Sequence, residues 1–228
     1  MRKIFCIILA ILLTFIFSAC KNENDVRGDI VTGDPVPSST AASTTAPAQK
    51  EVETGKLSGN RYVNSFLGVS CELGADWDVK SEDEIRQNNE ATMEMLGDDY
   101  AEAIKNAATF TDMMATHTNQ TDTVNVTFEK LSGVNLVLSE AQYAEISQKS
   151  LKEAFESLGM TNIALQIENG LFAGEEHSII SFSAEYAGVP VYEKIAVVKC
   201  ENYMVCIVAC TWQTDTCQDI LDTFQPIG

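Results

Sequence analysis

Residues able to do covalent chemistry are few in this chain and far apart. Gly68-Val69-Ser70-Cys71-Glu72 falls one residue short of the Gly-x-Ser-x-Gly elbow that presents a nucleophilic serine between strand and helix. Its fifth residue is Glu72, and the segment reads as a strand interior, where Ser70 and Cys71 serve packing. His117 and His177 are the only histidines, sixty residues apart. They lack the close spacing that marks a metal site, so each reads as structural or solvated. Glu175-Glu176 precede His177, and a Ser-His or Cys-His arrangement using Ser70 or His177 is the one catalytic alternative.

Five cysteines follow Cys20: Cys71, Cys200, Cys206, Cys210 and Cys217. The number is odd and no CxxC occurs, so neither a redox dithiol nor a zinc knuckle is signalled. Cys206 and Cys210 are four residues apart on one apolar strand, about 13 Å at 3.3 Å per residue. That exceeds the roughly 7 Å reach of a disulfide. A two-residue turn at Glu201-Asn202 sets Cys200 opposite Tyr203, facing away from Cys206. These thiols read as small core hydrophobes, with a pairing of Cys71 or Cys217 across the fold left open. Glu90, Glu94, Asp98 and Glu102 repeat at i, i+4, where like charges cost about 0.2–0.5 kcal/mol per pair. Calcium wants six to eight converging oxygens, and no acid-rich loop supplies them, so this run reads as a solvated face. No catalytic, cofactor-binding or metal residue is predicted.

Cys20 is different. Arg2 and Lys3 precede an almost unbroken apolar run from Ile4 to Phe17, then Ser18, Ala19 and Cys20. As a helix the run covers only about 21 Å, short of the roughly 30 Å bilayer core, so it reads as a signal-peptide h-region. Phe17-Ser18-Ala19-Cys20 resembles the bacterial lipobox, with Phe17 where Leu, Val or Ile is usual. The resemblance implies cleavage after Ala19 and acylation of Cys20. Two acyl chains hold a protein firmly on a membrane where one would not.

The formal charge is −18, and loss of Arg2 and Lys3 with the leader takes it to −20. Such a surface repels phosphate backbones and anionic headgroups, which argues against nucleic-acid binding. Residues 20–56 are rich in Ser, Thr, Ala and Pro and cannot repay the entropy of ordering. They read as a tether with a root-mean-square span of about 30–36 Å. Arg27-Gly28-Asp29 lies within it and reads as a chance tripeptide. The organisation predicted is a signal peptide over 1–19, a lipid-anchored linker over 20–56 and one domain over 57–228.

Within that domain Phe66 to Leu73 predicts a strand or tight strand pair. Ser81 and Glu84 predict a capping box opening a helix with Ile85, Met93 and Met95-Leu96 on one face. Gly97 breaks it before Asp98-Asp99. Strands are predicted over Phe110–His117 and Thr121–Leu131, the second with Val124, Val126 and Phe128 opposite Thr123, Asn125 and Thr127. Ser139 and Gln142 cap a helix carrying Tyr143, Ile146, Ser150, Leu151, Ala154, Phe155 and Leu158, stopped by Gly159. Asn169-Gly170 predicts a hairpin turn. Strands follow over Ile180–Tyr186, Val191–Cys200 and Tyr203–Cys210, the last apolar on both faces and therefore central. A final helix is predicted on Cys217, Ile220, Leu221 and Phe224, capped by Asp215 and Gln218 and ended by Pro226. The fold expected is α+β, an antiparallel sheet with helices on both faces.

Tyr62-x-Asn64, Gly68-Val69, Trp77 and the closing Ile220-Leu221-x2-Phe224 resemble PsbP-like domains, over about Asn60 to Ile227. That likeness implies an α/β/α sandwich, shared with Mog-type import factors and many small bacterial lipoproteins, and a binding scaffold rather than a chemistry. The functional expectation is a membrane-anchored, extracytoplasmic lipoprotein acting as a non-catalytic binding or protein-interaction module. Its partners would be the membrane, through Cys20, and a neighbouring surface protein, a cationic peptide or an apolar small molecule. A weak hydrolase and a structural acidic surface protein are the alternatives.

Overall fold

The computed structural model describes residues 51–92 and 108–228, without the side chains of 90–92. Cys20, the leader, Arg27-Gly28-Asp29 and most of the linker lie outside the described residues. So do Met93, Met95-Leu96, Gly97, Asp98-Asp99 and the side chains of Glu90, Glu94 and Glu102.

Eleven strands among the described residues form two antiparallel sheets. The smaller takes β1 (Lys56–Ser58), β2 (Arg61–Asn64), β3 (Val69–Glu72) and the C-terminal β11 (Phe224–Pro226), in the order β1-β2-β3-β11. The larger takes β4 (Trp77–Val79), β5 (Thr109–His117), β6 (Thr123–Lys130), β7 (Thr161–Phe172), β8 (Glu175–Tyr186), β9 (Val189–Cys200) and β10 (Tyr203–Trp212). Its order is β4-β5-β6-β10-β9-β8-β7, with β10 at the centre. Every residue of β10 is buried, as its two-sided apolar pattern requires.

Odd-numbered β10 residues such as Tyr203, Val205 and Ile207 face one core; even-numbered ones such as Met204, Cys206 and Val208 face another. The first core lies between the sheets. Phe110 stacks on Phe128 with ring centres 4.9 Å apart and planes 7° from parallel. Phe66 reaches over from the small sheet to meet Phe128 and Tyr203 edge-on or tilted. Aromatic pairs of this kind add about 0.5–1.5 kcal/mol beyond area burial. The second core lies under α2 (Glu140–Ser157), which buries Tyr143, Ala144, Ser147, Leu151 and Phe155 against β7, β8 and β9. Phe155 stacks on Phe182 there.

This arrangement corrects the expected α/β/α sandwich. A helix covers one face of the large sheet, but the other is covered mainly by a second sheet, with only the five-residue helix Cys217–Leu221 beside it, and the chain is mostly β. The PsbP-like resemblance finds no support here. Its motif residues Tyr62, Asn64, Val69 and Phe224 are buried because they build that second sheet. Burial on both faces of β10 is legible in sequence; whether sheet or helix covers it is not, since either supplies an apolar face.

Two local expectations also change. Asn169-Gly170 is not the turn: β7 runs through it, and the turn is Ala173-Gly174, with φ of 48° and 84°. Both values are positive, as a type I′ hairpin demands. Gly170 instead opposes His177, and a Cβ there would meet Ile179 Cγ1 at 2.8 Å. The C-terminal helix shortens to α3 (Cys217–Leu221), and Phe224 belongs to β11, paired with Cys71. Asp215 Oδ1 accepts from the Cys217 N–H. Both capping boxes form: Ser81 with Glu84 opens α1 (Glu82–Thr92), and Ser139 with Gln142 opens α2.

Candidate functional site

The clearest chemical feature grows from a fault in β5. Thr111 pairs with Thr127 and Met113 with Val126, so Asp112 is an extra residue in a β-bulge. Bulges re-aim a side chain, and this one sends a carboxylate toward the small sheet. Asp112 Oδ2 accepts from Tyr62 Oη at 2.5 Å and Asn64 Nδ2 at 2.7 Å, and both oxygens lie 2.9 Å from the Gly55 N–H. Burial drives the Asp112 pKa up, against those hydrogen bonds, and drives the Tyr62 phenol well above its ordinary value. Gly55 is required: a Cβ there would lie 2.2 Å from Tyr62 Cε2.

Beside the bulge α1 replaces a strand. Asn89 Nδ2 donates to Thr111 O at 2.7 Å, and Asn89 Oδ1 accepts from the Thr111 N–H at 2.8 Å. One amide thus completes the ladder that β4, paired only with Ala115 to His117, leaves unfinished. Between α1 and the start of the small sheet opens a cleft of about 550 Å³. Thr54, Gly55, Lys56 and Leu57 form one wall; Glu82, Asp83, Ile85 and Arg86 the other; Thr111 and Asp112 lie at the base. Lys56 and Leu57 of the first wall belong to β1, which is terminal in its sheet, so no described strand pairs with its outer edge. Arg86 Nη2 is 2.9 Å from Asp83 Oδ1.

The residues singled out in the sequence do not converge. Ser70 lies in β3 paired with Val63 and Gln225, and neither histidine contacts it. Cys71 is buried 3.1 Å from Thr223 Oγ1, and burial pushes its thiol up to about 11. His117 meets Asp76 at 2.8 Å, beside Trp77. His177 Nδ1 meets Glu140 at 3.0 Å, at the opposite end of the large sheet. Burial raises the Glu140 pKa, but His177 and the Lys199 and Ser178 N–H groups more than offset it and hold it below the ordinary value. The five described cysteines are all unbridged, and Cys200 and Cys206 face opposite cores.

Two further acids, Glu129 part-buried and Glu193 buried, escaped sequence reading. Tyr143 Oη donates to Glu129 Oε2 at 2.5 Å, while burial lifts Glu129 to about 7. Glu193 sits on the α2 side of β9, in register with Cys210 and Phe182 and 1 % exposed. Neither oxygen has a hydrogen-bond partner, and burial pushes it to about 8. A Glu in an alternating strand gives no signal of which face it takes when both are covered. The bulge was equally hidden, because it depends on register.

No family model matches this chain, and no curated protein does. Among solved structures it is similar to LpqN, described as involved in cell envelope biogenesis of Mycobacterium tuberculosis. The identity is 12%, the TM-score 0.40, and the overlap covers 69% of this chain and 82% of that one. No functional conclusion follows from a likeness of that size.

Proposed function

We propose that this chain is a lipid-anchored envelope protein that binds an extended, basic peptide segment without transforming it. The observation that carries the reading is the cleft along β1. An unpaired strand edge offers main-chain donors and acceptors to an added strand, with flanking walls to select side chains. Ile85 and Leu57 supply apolar surface; Asp83 is paired with Arg86 and Lys56 lies on the opposite wall, so Glu82, in the first turn of α1, is the carboxylate offered to a cationic side chain. The chain's overall charge of −18 favours a cationic partner for the same reason. Asp112 at the base is fully engaged in hydrogen bonds, which suits a rigid floor better than a proton shuttle. Attachment through Cys20 and the linker would hold this cleft at the outer face of the cell membrane.

The test is fluorescence polarisation with a library of short labelled peptides against the acylated chain in nanodiscs. Basic, β-prone peptides are expected to bind, and a Glu82→Lys/Asp83→Lys chain to bind them at least about tenfold more weakly. Binding that ignores the reversal, or no peptide binding at all, would sink the proposal. Mass spectrometry of the mature N-terminus tests the anchor separately.

A further inference from the structure

Among the described residues six large apolar side chains are conspicuously exposed: Val134 (79%), Leu136 (45%), Val137 (82%), Ile146 (47%), Leu171 (69%) and Ile227 (41%). Five of them sit at one end of the molecule. Val134, Leu136 and Val137 lie on the 3-10 turn Gly133–Val137, whose chain leaves β6 beside the β9–β10 turn, where Leu131 N donates to Asn202 O. Lys199 Nζ pins this turn by donating to the carbonyls of Leu136 and Leu138. Leu171 is the penultimate residue of β7, one pair from Gly170↔His177, and His177 shares Glu140 with Lys199 N, placing it at the same end. Ile227 N donates to Gly68 O in the β2–β3 turn, and Phe66 of that turn packs on Tyr203 and accepts from Cys200 Sγ.

The tether reaches the domain at this end. Val52 is buried in the inter-sheet core, and Glu53 O accepts from Asn64 Nδ2 beside that β2–β3 turn. From Cys20 to Glu51 there are only about thirty residues, which at full extension span no more than about 110 Å. An anchor of that length keeps the domain at an effective concentration in the millimolar range beside the bilayer, enough to make weak contacts count.

We infer that this apolar end docks on the lipid surface to which the chain is tethered, an inference that rests on acylation of Cys20. Patches of clustered apolar side chains mark contact sites. Membrane is favoured over a protein occupant because the tether joins the domain at the same end as these side chains, so an acylated Cys20 would hold that end near the bilayer. Exposed Glu53, Glu175, Glu176 and Glu201 flank the patch, so the surface suited to it is zwitterionic rather than anionic. Docked this way, Trp77 and Trp212 are held far from lipid: Trp212 ends β10 about 30 Å from Tyr203.

The experiment places the acylated full-length chain on phosphatidylcholine vesicles whose acyl chains carry bromine, a contact quencher. Wild-type emission, from Trp77 and Trp212, is expected to be unchanged by bromine. A Val137→Trp chain is expected to gain blue-shifted emission that brominated lipid quenches by half or more. Amide exchange at 133–138 in the wild-type chain should slow about tenfold on vesicles relative to an unacylated Cys20→Ser chain in solution. Water-like, unquenched added emission from the Val137→Trp chain, with unchanged exchange, in protein that is acylated and co-floats with vesicles would overturn docking and leave the anchor standing. A chain without acyl mass that fails to co-float would overturn both. Slowed exchange on intact envelopes but not on vesicles would assign the patch to a protein partner and overturn the membrane reading.

Discussion

Glu193 should make this protein less stable as the pH rises through the neutral range. Its carboxyl is buried on the α2 side of the central sheet, with Cys210 and Phe182 as its cross-strand neighbours and no hydrogen bond to either oxygen. The adjacent cation, Lys194, points to the other face and donates to Gln218 Oε1 at 3.1 Å. Burial lifts the folded-state value from 4.5 to about 8. The folded state therefore holds a proton that the unfolded chain has released, over a window from about pH 4.5 to 8. Stability is fully retained below that window and falls as pH rises through it. At about 1.4 kcal/mol per unit the loss is about 4–5 kcal/mol, a large share of the 5–15 kcal/mol that holds a typical domain together. The perturbation is Glu193→Gln, which cannot titrate. Urea denaturation of the unacylated Cys20→Ser chain, at pH 5, 6, 7 and 8, reads the difference between variant and wild type. Contributions from Glu129, common to both, cancel. The two chains should be close at pH 5, with Glu193→Gln the more stable by several kcal/mol at pH 8. Parallel stability curves would refute the reasoning, because they would mean that Glu193 titrates alike in both states.

Other outcomes follow from the same geometry. Asp112→Ala strands the Tyr62 hydroxyl, the Asn64 amide and the Gly55 N–H without their acceptor; the urea midpoint should report a loss of about 3 kcal/mol or more. Gly55→Ala drives a methyl into the Tyr62 ring, at a cost of about 1–3 kcal/mol in the same assay. In the native protein a disulfide reagent should modify Cys200 first, since it alone of the five described cysteines is only half-buried, while Cys71 and Cys217 are buried with thiols raised to about 11 and about 12; mass mapping after brief labelling decides it. Glu140, held below its ordinary value, contributes stability that is present above about pH 4.5 and lost as pH falls through its folded value. Glu140→Gln should accordingly shrink the acid limb of the stability profile, and an unchanged limb would contradict its bonds to His177 and Lys199.

Where local chemistry decides, the sequence was legible. Ser81–Glu84 and Ser139–Gln142 close their capping boxes because the partners are three residues apart and need nothing from the rest of the fold. β10 announces its central place by being apolar on both sides. Periodicity was less reliable at the margins: Ile146 falls on the expected stripe of α2 yet stays exposed, while Ala144 and Ser147 are buried in its stead. What escaped was set by pairing between distant strands. Ala173 accepts a positive φ so that β7 and β8 run twelve residues each, and that outweighs the Asn-Gly preference nearby. Asp112 became the floor of the cleft only through a register shift against β6, and the small sheet gains its fourth strand only because Phe224 to Pro226 returns to β3.

The position of β10 in the chain also governs when the fold can form. Residues 203–212 bridge β6 to β9, so until they emerge the two halves of the large sheet have no common seam. Pairings of such long sequence separation close slowly. A chain crossing a membrane from its N-terminus would stay open and threadable almost to its last residues. By the same logic, trimming even a short length from the C-terminal end removes β11 first and the spine of the molecule soon after.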